Sequence, residues 1–125
     1  MDTRTKILSL EAAQSLRLPR LVVVAGYFDL PRAAHVRELE AIRQRTGAGA
    51  LLAAVLPWDE AVLSPRGRAE MAAALRVIDY VVALDNVDLE ALIGTLGPAD
   101  VVRLEAADAC RNRELIEHVR RRHSL

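Results

Sequence analysis

Five consecutive apolar residues, Leu21-Val22-Val23-Val24-Ala25, end at Gly26. A run that is apolar at every position, rather than at alternate ones, is buried on both faces, and β-branched side chains favour the extended chain. This reads as a strand inside a parallel sheet with helices on either side. The next residues fit a helix packed on such a sheet. Val36, Leu39 and Ile42 recur at helical spacing, Arg37, Glu38 and Arg43 lie elsewhere on the helix, and Gly47 stops it. Residues 50–56 are the second strand candidate, although their alanines also suit a helix. Ser64-Pro65 starts a helix with a capping residue and a proline at the first helical position, and Met71, Leu75 and Ile78 come after it at helical spacing.

Residues 80–84 form a third strand. Asp88 is placed to cap a helix striped with Leu89, Leu92, Ile93 and Leu96, which Gly97-Pro98 ends. Val101-Val102 begins a short fourth strand. Residues 111–122 read as an amphipathic helix through Leu115, Ile116 and Val119, with Arg120, Arg121 and Arg122 at the negative end of its dipole. Strands alternating with helices imply right-handed crossovers and a covered parallel sheet. The expected fold class is therefore α/β, a three-layer Rossmann-like parallel sheet with helices on both faces. No linker or repeat divides the chain, and 125 residues at 52% hydrophobic content fit one domain spanning 1–125.

Composition excludes several functions. Seventeen Lys and Arg balance seventeen Asp and Glu, and aromatics make up 3%, so neither a cationic face nor a set of stacking platforms for nucleic acid is expected. Cys110 stands alone, which leaves no internal disulfide and argues against a zinc cluster. No apolar stretch is long enough for a signal peptide or a bilayer span, so the expectation is a cytoplasmic protein without membrane association.

Ligands of open parallel sheets bind beyond the carboxyl ends of the strands. The segment there reads Gly26-Tyr27-Phe28-Asp29-Leu30-Pro31-Arg32-Ala33-Ala34-His35 and runs into a helix. Glycine lets a phosphate approach the backbone, a helix start offers free N–H groups, and Arg32 and His35 can donate to phosphate oxygens. The stretch resembles the G-x-F-D-x-x-H-x-G-H signature of the cytidylyltransferase-like nucleotidyltransferases, a family that includes glycerol-3-phosphate cytidylyltransferase and the adenylyltransferase half of the bifunctional heptose kinase/adenylyltransferase. Lys6-Ile7-Leu8-Ser9-Leu10-Glu11 resembles the lead-in before the first strand of the heptose branch. Arg68-Ala69-Glu70-Met71-Ala72-Ala73-Ala74-Leu75 with Ile78-Asp79-Tyr80-Val81-Val82 resembles its R-A-E-x-x-A-A-L and V-D-Y-V-V segments.

The resemblance implies that a sugar or alcohol phosphate attacks the α-phosphate of ATP or CTP with release of pyrophosphate, with Mg²⁺ where the chain is active. It places His35 and Arg32 at catalytic positions, and Gly26, Tyr27, Phe28, Asp29 and Arg68 around the nucleotide and its phosphates. Departures point to a degenerate site. Arg32 stands where the motif has its first histidine, and Ala34 where it has a glycine. No K-G-G-D segment lies after the fourth strand, where Asp108 is at most a distant counterpart. The family's final strand and S-T-T helix start have no match before Leu125, so the fold is expected to be truncated at its C-terminal end.

Three functions remain open. The leading one is an impaired nucleotidyltransferase that at most binds a nucleotide or sugar phosphate. The second is an active enzyme whose site a partner chain completes, as in a homodimer. The third is a structural or regulatory α/β module without a ligand. Plainer roles stand beside the sharp ones: Phe28 and Asp29 as core and turn, Arg68 and Glu70 on a solvated helix start with an Arg66–Glu70 pair, Trp58 in packing with Asp59 beyond the second strand, and His118 and His123 at the surface.

Overall fold

A computed structural model describes residues 2–123. The strands are β1 (Ile7–Leu8), β2 (Leu21–Gly26), β3 (Ala50–Val55), β4 (Tyr80–Ala83) and β5 (Asp100–Arg103). The helices are α1 (Leu10–Gln14), α2 (Ala33–Thr46), α3 (Pro65–Ala74), α4 (Asn86–Leu96) and α5 (Glu105–His123), and a 3₁₀ turn at Thr3–Lys6 precedes β1. All strands are parallel, in the order β1-β4-β3-β2-β5. The fold is the expected α/β class with a Rossmann-like sheet.

Handedness explains which helix covers which face. The chain steps from β2 to β3 to β4 in one direction, and α2 and α3 pack on one face through Leu39, Ile42, Ala69, Ala72 and Ala73. It steps the opposite way from β1 to β2 and from β4 to β5, so right-handed crossovers put α1 and α4 on the other face, through Ala13, Leu89 and Leu92. Both faces of β2 and β3 are therefore buried, which is why those strands read as unbroken apolar runs.

Several local expectations change. The segment around Ile7 is a fifth strand, too short to show a pattern, that adds to the outer edge of β4. Lys6 holds it there by donating from Nζ to the carbonyls of Leu75 and Ile78 at 3.2 and 2.8 Å. The buried face of α3 is Arg68, Ala69, Ala72 and Ala73, because small residues let the helix lie close to the sheet; Met71 is exposed and Ile78 lies beyond the helix. Asp85, not Asp88, caps α4 by accepting from the Asp88 N–H at 2.8 Å. The last helix begins at Glu105, one residue after β5 and well before residue 111. Ser64, Gly47 and Gly97 take the expected roles, the two glycines with left-handed backbones at helix ends. No described helix is long and apolar enough to cross a membrane.

The sheet has one topological switch point. β3 and β5 flank β2, and the chain leaves β2 towards β3. β2 pairs with β3 from Leu21↔Ala50 to Gly26↔Val55, but its pairing with β5 stops at Ala25↔Arg103. Gly26 thus projects one residue past β5, and α5 turns across that gap after the Leu104 N–H bonds the Ala25 carbonyl at 2.7 Å.

Candidate functional site

Residues 26–35 run from the end of β2 into α2 at this switch point, the position where open parallel sheets bind ligands. The loop is backbone-strained. Phe28 and Leu30 have φ of 53° and 50°, a left-handed region that bulky residues rarely enter. Such conformations cost about 1–3 kcal/mol each and persist where surrounding contacts impose them. Two contacts do so here. The Phe28 ring is fully buried and stacks on His35 with centroids 5.6 Å apart. Asp29, between the two strained residues, accepts from the N–H groups of Val62 and Leu63 at 2.7 and 2.9 Å and from Asn112 Nδ2 at 2.8 Å. Asp29 therefore pins this loop both to the segment before α3 and to α5.

His35 is in the first turn of α2 and only 3% exposed. Its Nε2 is buried without a hydrogen-bond partner and lies 3.5 Å from Asp108 Oδ1. Burial lowers its pKa below the ordinary histidine value, and Asp108 opposes that shift only in part. The ring is thus a neutral imidazole near pH 7. Asp108, on α5, accepts the Tyr27 N–H at 2.8 Å through Oδ2 and Arg111 Nη2 at 2.8 Å through Oδ1. Arg111 is itself paired with Glu38 of α2. Burial works against the Arg111 charge, but its bonds to Asp108 and Glu38 hold its pKa above the ordinary value. Gly26 is needed for closeness: a Cβ there would overlap Oδ2 of Asp108. The approach reserved by glycine is occupied by a carboxylate of the chain itself.

Arg68 departs from a solvated helix start. It is 2% exposed and donates from Nη1 to the carbonyls of Tyr27 and Leu56 at 2.9 and 2.7 Å, while its Nε has no partner. Burial lowers its pKa, and the nearby Asp29 offsets part of that cost. Arg68 thereby ties the ends of β2 and β3 together and lines a cavity of about 240 Å³ with Val55, Pro57, Pro65, Ala83 and Leu84. Tyr27 stacks on Trp58 at 4.6 Å across the same strand ends. Arg66 and Glu70 form the expected exposed pair at 3.0 Å.

The structure brings Gly26, Tyr27, Phe28, Asp29, His35 and Arg68 together, and the Arg32 side chain is bonded to none of them. Arg32 is the N-cap of α2 with an exposed side chain that makes no capping bond and no other bond among the described residues. Trp58 takes the packing role, Asp59 and His118 are exposed, and the side chain of His123 lies outside the described structure. Arg111, Asn112 and Glu38 belong to the site although sequence pattern alone assigned them no part in it. A signal was present: residues 104, 108, 112 and 115 have helical spacing as Leu, Asp, Asn and Leu, which puts two polar groups on an apolar stripe.

Chemically, the arrangement can hold an anion. The Tyr27 N–H, the His35 imidazole on the first turn of α2 and Arg111 converge on the point where the Asp108 carboxylate lies. No side chain there is placed as an activated nucleophile. The residues do not fit a metal: Asp29 and Asp108 are engaged by N–H donors and Glu38 by Arg111, and no group of three potential ligands occurs among the described residues. The chain matches no family model, and no curated protein is significantly similar to it.

Proposed function

We propose that this chain binds a phosphate-bearing small molecule, a nucleotide or a sugar phosphate, at the carboxyl ends of β2 and β5, and that it is impaired as a nucleotidyltransferase. The observation that carries the reading is His35 Nε2, a buried polar atom without a partner, 3.5 Å from a carboxylate oxygen that a backbone N–H and a guanidinium already hold in place. Buried polar groups are nearly always satisfied, so an orphan in a ligand crevice suits a missing acceptor. The loop's resemblance to a phosphate-handling motif supports the same assignment.

In this reading Tyr27 N–H and His35 donate to phosphoryl oxygens, Arg111 supplies charge, and Arg68 and Asp29 hold the loop in place without touching the ligand. Impairment results from Arg32. Stabilising the charge of a transferring phosphoryl group needs donors fixed at the reacting oxygen, and the exposed Arg32 side chain is fixed by no bond among the described residues. Any divalent cation would arrive with the ligand's phosphates.

Thermal unfolding of the intact chain with ATP, CTP and sugar phosphates tests the reading. A ligand present at 100 times its Kd stabilises by about 2.7 kcal/mol, a rise of roughly 10 °C for a chain of this size. Turnover of nucleoside triphosphate and sugar phosphate at ordinary enzymatic rates would contradict impairment. The ligand-free structural reading keeps one observation in its favour, the filling of the crevice by Asp108. It predicts no shift with any phosphate compound.

A further inference from the structure

The polar groups around the end of β2 form a cradle with an occupant. Oδ2 of Asp108 takes the Tyr27 N–H at 2.8 Å, and Oδ1 takes Arg111 Nη2 at 2.8 Å and faces His35 Nε2 at 3.5 Å. The Asp108 side chain is 4% exposed. Backbone N–H, imidazole and guanidinium around a carboxylate, next to a glycine whose missing Cβ makes room for one oxygen, are the donor set of an oxyanion site. The carboxylate is held by two contacts of α5 beyond its own, Arg111 to Glu38 and Asn112 to Asp29, and by the bond just before α5 from the Leu104 N–H to the Ala25 carbonyl.

We infer that Asp108 is a built-in substitute for the ligand's anionic group, so that the first turns of α5 and a phosphate compete for one cradle. The inference rests on the proposed phosphate binding and adds its regulation. It also accounts for His35. Nε2 lies 3.5 Å from Oδ1 and makes no hydrogen bond to it, the carboxylate being fixed where it serves Tyr27 and Arg111. A tetrahedral phosphate, with oxygens in three directions, can satisfy all three donors. In the intact chain a phosphate must displace Asp108, because two anions in one buried cradle repel strongly. The structure is thus the closed form of its own site, and whatever draws α5 away opens it.

Calorimetric titration with inorganic phosphate decides the matter. Asp108→Ala should bind phosphate at least about tenfold more tightly than the unaltered chain, and Asp108→Asn, which keeps an acceptor for Tyr27 but no charge, should shift in the same direction by less. Adding His35→Ala to Asp108→Ala should remove the gain. Equal affinities across folded variants would overturn the inference. Hydrogen exchange in the unaltered chain covers the case in which neither Asp108 variant folds. Phosphate or ATP should raise exchange across residues 105–112 while β2 and β3 stay protected, and unchanged exchange there overturns the inference. Stabilisation by ATP without any loosening of α5 would sink the competition and leave binding standing. Phosphate taken up by Asp108→Ala alone would uphold the competition and limit binding to the opened form. No uptake by any form contradicts both.

Discussion

His35 is the residue on which most of the site's physics converges. A histidine whose folded pKa lies below its ordinary value of 6.5 takes a proton more readily when unfolded. Its contribution to stability is therefore complete above about pH 6.5 and is lost as the pH falls towards the folded value. Asp108, Arg111 and Glu38 all face the ring, and their opposing effects leave burial in control. The urea midpoint should fall between pH 7.5 and 5.5 more steeply in the unaltered chain than in His35→Gln, the difference reaching at most about 1.4 kcal/mol per pH unit. Parallel profiles would show that the ring titrates alike in both states. Gly26 makes the second prediction at this scale. Gly26→Ala forces a methyl into Asp108 and should cost roughly 1–3 kcal/mol. Its effect should be smaller in an Asp108→Ala background, by a coupling of about 0.5–3 kcal/mol in a double-mutant cycle. Strict additivity would mean that the two residues do not press on one another.

At the scale of elements, the site is made by three segments converging on one loop. Asp29 receives donors from the segment ahead of α3 and from α5, so it acts as a fastener rather than as a ligand-facing acid. Asp29→Ala leaves two backbone N–H groups and Asn112 without their acceptor and should cost about 3 kcal/mol or more, while Asn112→Ala should cost only about 1 kcal/mol. Equal losses, measured by urea unfolding, would contradict the hierarchy. The elements also show what sequence pattern can carry. β2, β3 and the starts and stops at Ser64, Gly47 and Gly97 were readable because burial on two faces and helix ends restrict residue type strongly. β1 was not, since two residues display no period and its place depends on Lys6 reaching carbonyls some seventy residues away. The buried side of α3 misled for a related reason: close packing selects alanine, which a search for large apolar residues passes over.

For the molecule as a whole, the strand order is decisive. One reversal, between β2 and β5, sets the crevice at Gly26, and the loop that the sequence singled out lies there. That Gly26, Tyr27 and His35 meet at one strand end was thus legible, because they are local to one strand and the helix after it. The filling of that crevice was not, because Asp108 and Arg111 arrive from over seventy residues downstream on a helix whose start is hidden by β5 ending one residue earlier. The outer edge of β5 is four residues long and bounded by Asp100 and Arg103, features that discourage sheet-to-sheet pairing. The proposed ligand is therefore expected at the carboxyl end of the sheet, where the strand order reverses. An NMR titration of the ¹⁵N-labelled chain with ATP tests that most directly: the amides of Tyr27 and of residues 33–35 should shift first and together with those around Asp108. Shifts confined to another surface, or none at millimolar ATP, would contradict it.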